Sequence, residues 1–99
     1  MTQPASWQDL LKIGAPDILK AAEYTREAIL PDGALSNKTK TLMTMLCDAL
    51  LGHDGGVSTI ANRARAAGAS EDEIAETVGV AFLMGGLPAL VTGANAFKK

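Results

Sequence analysis

Apolar residues recur at helical spacing through most of the chain, and nowhere do they alternate with period two for long enough to predict a strand. The clearest pattern lies between His53 and Pro88. Its first part has apolar residues at i, i+3, i+4 and i+7, namely Val57, Ile60, Ala61 and Ala64. The pattern predicts an amphipathic helix that begins just after the turn at residues 53–56 and ends at Gly68.

A capping box predicts where the next helix begins. Ser70 is followed three residues later by Glu73. The hydroxyl can therefore accept from the N–H of Glu73, while the carboxylate reaches back to the N–H of Ser70. The acidic first turn suits the positive end of the helix macrodipole. The buried stripe predicted for this helix comprises Ile74, Val78, Ala81, Phe82 and Gly85.

Similar signals predict two helices at the start of the chain. Ser6, followed by Asp9, is the cap of a short first helix, which Gly14 ends. Pro16 takes the favoured first position of a second helix, and the turn at residues 31–33 closes it. The apolar stripe predicted for the second helix comprises Ile18, Ala22, Thr25 and Ile29.

The third helix runs from a cap at Ser36 to about Leu51, and we expect it to be central and largely buried, with Cys47 on a buried strip. A last helix begins at Leu87 and Pro88. Its residues expected to face inward or toward a partner are Leu90, Val91, Ala94 and Phe97. The sequence therefore predicts an all-α fold of about six helices, organised as a single domain over residues 1–99, with no internal repeat.

The composition predicts close helix packing and self-association. Apolar residues make up 47% of the 99 residues, but the large aromatic ones are few: Trp7, Tyr24, Phe82 and Phe97. Helices must therefore approach through small side chains. A chain of this length also buries a thin core, and small domains often cover their remaining apolar face with a partner. We expect a homo-oligomer.

Charge and cysteine content exclude several functions. The net charge of −2 gives no basic patch for nucleic acid or an anionic membrane. Cys47 is the sole cysteine, so an internal disulfide and a four-cysteine metal site are excluded, which fits the cytoplasm. No signal peptide is visible. The longest apolar segment, residues 78–91, is interrupted by glycine and proline and is too short to span a bilayer.

Two segments in the second half carry a family resemblance. Ala69-Ser70-Glu71-Asp72-Glu73-Ile74-Ala75-Glu76, followed by Phe82-Leu83-Met84-Gly85-Gly86-Leu87-Pro88-Ala89, resembles the carboxymuconolactone decarboxylase and alkylhydroperoxidase D-like superfamily. Residues 35–38 are also similar to the segment that leads into that family's core. The resemblance spans roughly Pro16 to Phe97. It implies an all-helical alkylhydroperoxidase D-like fold that assembles as a closed oligomer such as a trimer or hexamer.

The reactive residues of that superfamily do not carry over. Its peroxidase-type members have a Cys-x-x-Cys-x-x-x-His motif, whose positions fall on His53, Gly56 and Ile60 when counted back from Gly68. The upstream glutamate of the proton relay falls near Thr41. Without sulfur at the first two positions no dithiol cycle can run. Decarboxylase-type members keep the histidine where Ile60 stands, so the active site is degenerate for both activities.

Three residues could still support chemistry. His53 is the sole histidine and could act as an acid or base, with Asp54 orienting the ring; alternatively it caps the end of the third helix. Cys47 could react with peroxide if it is exposed, or it is an inert buried residue. Together Cys47, His53 and Asp54 supply at most three metal ligands, and their spacing is not that of a standard metal site. We therefore predict no metal site and no cofactor.

The favoured function is therefore an oligomeric family member with a degenerate active site and a binding or scaffold role, which could take a small-molecule ligand. The alternative is an enzyme acting on a small organic acid or lactone with His53 as acid or base, and it predicts that His53 lines a closed cavity at a subunit interface. A second alternative is a weak single-cysteine peroxidase that uses Cys47. The predicted partner is a second copy, with no nucleic acid and no membrane.

Overall fold

The computed structural model describes residues 5–98, and every regular element in that range is helical. There are six α-helices and a closing 3-10 helix: α1 Trp7–Gly14, α2 Pro16–Ile29, α3 Asn37–Leu50, α4 Asp54–Ala66, α5 Glu71–Gly85, α6 Leu87–Gly93 and the 3-10 helix Ala94–Phe97. This confirms the predicted all-α fold and its six helices. The capping boxes predicted at the starts of α1 and α5 are both formed.

The described residues form two compact units, residues 5–31 and residues 32–98. In the first unit α1 packs against α2. Leu19 is the buried apolar side chain of the described part of this unit, whereas Ile18 and Ile29 are 63% and 57% exposed. The apolar stripe predicted for α2 is therefore wrong at Ile18, Thr25 and Ile29, which are exposed, whereas Ala22 is half-buried.

In the second unit α3 packs against α4, α5 and α6, and α5 also packs against α6. The core comprises Met45, Ala49, Val57, Ala61, Ala64, Ala69, Ile74, Val78, Ala81, Ala89 and Ala96. Seven of these eleven residues are alanine. A Cβ added to Gly85 would lie 2.6 Å from Cδ2 of Leu50, and one added to Gly93 would lie 3.0 Å from Cγ1 of Val78. Small residues therefore set the helix spacing, as the composition predicts.

The buried face of α3 is formed by Thr41, Met45 and Ala49. The prediction that Cys47 lies on a buried strip is wrong, because its side chain is exposed. At 3.6 residues per turn, a position two residues after Met45 lies on the opposite side of the helix. Leu50, the last residue of α3, is 42% exposed.

The later helices differ from the sequence pattern at their ends. Ile74, Val78 and Ala81 are buried in α5 as predicted, but Phe82 and Gly85 are exposed. The buried residues of α6 and the 3-10 helix are Ala89, Thr92, Gly93 and Ala96. Leu90 is partly buried against the core, and Val91, Ala94 and Phe97, which are expected to face inward or toward a partner, are exposed in the single chain. In α6 and the 3-10 helix the buried residues are therefore small, and the larger side chains of Val91 and Phe97 lie on the surface.

A single guanidinium joins three elements of the second unit. Nη2 of Arg65 donates to the carbonyl oxygen of Ala96 at 2.7 Å, and Nη1 donates to Oδ1 of Asn62 at 2.8 Å. Nε donates to Oε2 of Glu71 at 2.9 Å. Arg65 therefore ties the end of α4 to the first turn of α5 and to the 3-10 helix.

Candidate functional site

The turn between α3 and α4 brings the sole histidine back against the helix that precedes it. Gly52 has φ +79°, a left-handed conformation that glycine adopts at little cost. The chain reverses there, and the backbone N–H of His53 donates to the carbonyl oxygen of Asp48 at 2.9 Å. His53 therefore lies beside the last turn of α3, next to the side chain of Asp48.

The carboxylate partner of the imidazole is Asp48. Nδ1 of His53 lies 3.0 Å from Oδ1 of Asp48. The Asp48 side chain is 20% exposed and the His53 side chain is 57% exposed. The sequence suggested Asp54 for this role, and the structure instead places Asp54 as the exposed first residue of α4. Sequence reasoning did not identify Asp48, which lies five residues before the histidine and across a chain reversal.

Gly56 leaves the space that this carboxylate occupies. A Cβ added to Gly56 would lie 2.8 Å from Oδ2 and 2.9 Å from Cγ of Asp48, closer than real Cβ atoms approach. The neighbouring Gly55 has nothing within 4 Å of the same position. Glycine at position 56 is therefore coupled to the Asp48–His53 pair. The same contact shows that a cysteine at position 56 would require Asp48 to move.

The contact with Asp48 bears on which ring nitrogen of neutral His53 carries the proton. A carboxylate accepts hydrogen bonds, so neutral His53 is favoured with its proton on Nδ1, and Nε2 then carries the lone pair. His53 is the N-cap residue of α4 and makes no side-chain capping bond. The arrangement therefore offers an imidazole nitrogen that can accept a proton at the start of a helix.

The other positions related to the superfamily motif are occupied by packing residues. Ile60 is partly buried against the core. Thr41 is buried, and its Oγ1 donates to the carbonyl oxygen of Asn37 at 2.8 Å. Neither position presents an acid or a base. The geometry is thus that of a helical junction with one histidine–aspartate pair rather than a thiol relay.

The remaining predicted site residue, Cys47, is an exposed free cysteine directly before Asp48 in the chain. It lies one helical turn after Met43, which is 49% exposed. In residues 5–98 no group of three or more His, Cys, Asp or Glu side chains could hold a metal ion. None of the helices described in this range has the length and apolar character needed to cross a bilayer.

A second feature is an exposed apolar surface where α5 ends and α6 begins. We call this the α5–α6 apolar surface, and its residues are Phe82, Leu83, Met84, Leu87 and Val91. Their exposed fractions range from 46% for Phe82 to 79% for Leu83. Leu50 of α3 adjoins it, since its side chain lies against Gly85. The sequence assigned Phe82 to the core, so this surface was only partly foreseen.

The sequence from Pro16 onward matches a known protein family. A sequence model of the carboxymuconolactone decarboxylase family matches residues 16–99. The chain belongs to this family, which confirms the resemblance found in the sequence.

Among solved structures, the chain is similar to a carboxymuconolactone decarboxylase family protein from Legionella pneumophila, crystallised in its apo form. The two sequences are 28% identical, with a TM-score of 0.83. The match covers 89% of this chain and 79% of the other. No curated protein matches the sequence significantly.

Proposed function

We propose that this protein is a homo-oligomeric member of the carboxymuconolactone decarboxylase family with a degenerate active site, and that its assembled surface has a binding or scaffold role. The observation that carries the proposal is the α5–α6 apolar surface. Five large apolar side chains between residues 82 and 91 are each at least 46% exposed. Large exposed apolar patches are rare on monomeric proteins and mark interaction sites, and these side chains follow one another closely along the end of α5 and the start of α6.

A second copy is the partner that best fits this surface. The core of the second unit is built largely from alanine, so each subunit buries little apolar area for its size. Association that covers Leu83, Leu87 and Val91 would add apolar burial without any new element. The family resemblance implies a trimer or hexamer, which supports the same proposal. The packing residues at Thr41 and Ile60 support a role other than the family's thiol chemistry.

The experiment is size-exclusion chromatography with light scattering on the parent chain, on Leu83→Glu with Leu87→Glu, and on Thr59→Glu. Thr59 is exposed on α4 and is not part of the α5–α6 apolar surface, so it controls for the added charge. We expect the parent and the control at a multiple of the subunit mass and the double variant at the subunit mass. A folded parent chain that stays at the subunit mass across micromolar concentrations would overturn the proposal.

A second candidate is an enzyme that acts on a small organic acid or lactone with His53 as acid or base. The 3.0 Å contact between Nδ1 of His53 and Oδ1 of Asp48 favours it. The side chain of His53 is 57% exposed in the single chain, which counts against a closed cavity unless another subunit covers the ring. Turnover of small acids and lactones by the parent, compared with His53→Gln, tests this candidate, and equal rates would remove it.

A third candidate is a weak single-cysteine peroxidase. The exposure of Cys47 favours it, because a thiol must be accessible to be oxidised to the sulfenic acid. Hydrogen peroxide consumption in the presence of dithiothreitol should then be lost in Cys47→Ser. Equal consumption by the two proteins would exclude this role.

A further inference from the structure

We propose that Asp48 is a positioning residue that holds His53 with its proton on Nδ1, so that Nε2 acts as a proton acceptor toward neutral esters. This inference rests on the second candidate function; it names the residue that positions His53 and narrows the substrate from acids or lactones to neutral esters, lactones included. It differs from the sequence-based suggestion in the partner residue, which is Asp48 rather than Asp54. Gly56 is part of the same arrangement because its missing Cβ leaves room for the Asp48 carboxylate.

Two contacts fix the relation between the carboxylate and the ring. The backbone hydrogen bond from His53 N–H to the carbonyl oxygen of Asp48 is 2.9 Å, and the side-chain contact is 3.0 Å. Both backbone and side chain of Asp48 therefore hold the same histidine. Because Asp48 is 20% exposed, water competes less for its carboxylate than for a fully exposed one.

The local charge favours a neutral substrate. The ring contacts the Asp48 carboxylate, and the exposed carboxylate of Asp54 belongs to the next residue. Two cations of the second unit have carboxylate partners of their own, since Lys38 binds Glu73 and Arg65 binds Glu71. A substrate carboxylate would therefore meet like charge beside His53, whereas an uncharged ester carbonyl would not.

With its proton on Nδ1, His53 can promote the hydrolysis of an ester by water. Nε2 takes a proton from a water molecule as the water oxygen bonds to the ester carbonyl carbon. The bond between that carbon and the alcohol oxygen then breaks, and the imidazolium returns the proton to the leaving alcohol. Ester and water give a carboxylic acid and an alcohol, with no oxidant, reductant or other reactant consumed. Asp48 stays ionised and keeps the ring oriented through both proton transfers.

The first measurement is the tautomer of His53, read from its ring nitrogen resonances in the uniformly ¹⁵N-labelled full chain at about pH 9, where imidazole is ordinarily neutral. We expect the Nδ1–H form to predominate in the parent and in Asp72→Ala, which removes an exposed carboxylate on α5. In Asp48→Ala the Nε2–H form should become prominent. Gly56→Ala should shift the tautomer in the same direction, because it keeps the charge of Asp48 and displaces the carboxylate.

The second measurement is the hydrolysis of 4-nitrophenyl acetate, compared with the anionic 4-nitrophenyl half-ester of succinic acid. We expect Asp48→Ala to reduce the rate on the acetate by about tenfold, which is less than the roughly 10²–10⁴-fold contribution of a group that itself transfers the proton, because Asp48 only orients the ring. His53→Gln should fall to the background rate. The parent should prefer the neutral ester over the anionic one.

The tautomer measurement tests the positioning of His53 by Asp48, and the hydrolysis measurement tests catalysis by His53. If the parent shows the Nε2–H form, or if Asp54→Ala shifts the tautomer and Asp48→Ala does not, Asp48 is not the positioning residue. If the tautomers are as expected but the parent and His53→Gln hydrolyse the acetate equally, positioning holds and the catalytic function fails. A faster rate on the anionic ester would overturn the assignment of a neutral substrate.

Discussion

The starts of α4 and α5 follow the same kind of turn but are completed in opposite ways. Each comes shortly after a glycine with positive φ, Gly52 or Gly68. At α5 the hydroxyl of Ser70 accepts from the N–H of Glu73 at 3.0 Å, and the N–H of Ser70 donates to Oε1 of Glu73 at 2.8 Å. At α4 the N-cap residue is His53, and its side chain makes no capping bond.

At the α5 start the side chains of Ser70 and Glu73 cap the helix. At the α4 start the imidazole of His53 makes no capping bond and contacts Asp48 instead. The α5 start satisfies its own backbone donors and adds an ion pair between Glu73 and Lys38, 2.9 Å apart. The α4 start has two glycines in its first turn and a carboxylate supplied by the preceding helix. The signals that favour a stable helix start, namely a side-chain cap and residues of high helix propensity, are therefore weaker at α4 than at α5.

The largest expected effect comes from removing the cap of α5. Ser70→Ala should lower the free energy of unfolding by about 1 kcal/mol, because one capping bond is lost and its reciprocal partner is loosened. The matched change at α4, His53→Ala, should cost about 0.5 kcal/mol or less, since an exposed pair contributes little. Urea unfolding followed by circular dichroism, at one protein concentration, measures both. Equal losses would contradict the contrast between the two helix starts.

An intermediate effect is expected at the two glycines of the first turn of α4. Gly55→Ala should stabilise the protein by about 0.5 kcal/mol, because alanine favours a helix and the added methyl group enters open space. Gly56→Ala should give no such gain, because the methyl group meets the Asp48 carboxylate. The same unfolding measurement compares the pair. A gain at position 56 as large as that at position 55 would mean that Asp48 moves aside without cost.

The smallest expected effect is the pH dependence at the start of α5. The backbone N–H of Ser70 and the ammonium of Lys38 hold the pKa of Glu73 below its ordinary value. The ionised carboxylate is favoured in the folded state, so its contribution is complete above the unfolded-state pKa, about 4.3 for glutamate. That contribution is lost as the pH falls through the lower folded-state pKa.

The difference in melting temperature between the parent and Glu73→Gln should therefore be largest near neutral pH and shrink in acid. Glu76→Gln, one turn further along α5, controls for the loss of one surface charge. A difference that stays constant from neutral pH down to about pH 3 would show that the ionised carboxylate is not the stabilising form.

The fold could be predicted because its signals are local. Ser70 and Glu73 are three residues apart, and helical spacing of apolar residues marks each element without knowledge of its neighbours. The phase of burial was less predictable. Phe82 fits the apolar stripe of α5, but the core accepts alanine and glycine at the helix contacts, so the larger ring remains outside. The side of α3 that carries Cys47 was likewise set by the tertiary contacts of Met45 and Ala49.

The candidate site was predicted only in part. His53 stands out as the sole histidine, and its adjacent Asp54 is the natural first choice of partner. The actual contact to Asp48 depends on the reversal at Gly52 and on the absence of a side chain at Gly56. Both are properties of the backbone path, and neither appears in the spacing of polar residues. On a continuous helix, residues five apart are not neighbours, so the spacing of Asp48 and His53 does not predict their contact.

The triple hydrogen bonding of Arg65 has a consequence for how the second unit opens. Its guanidinium bridges a sequence separation of 31 residues to Ala96 and also binds Glu71 in the first turn of α5. If the 3-10 helix unfolds, Arg65 loses the carbonyl acceptor of Ala96, and Arg65 is also the side chain that binds Glu71 at the start of α5. We therefore expect the 3-10 helix and the α4–α5 junction to open together, as one subglobal unit in amide hydrogen exchange.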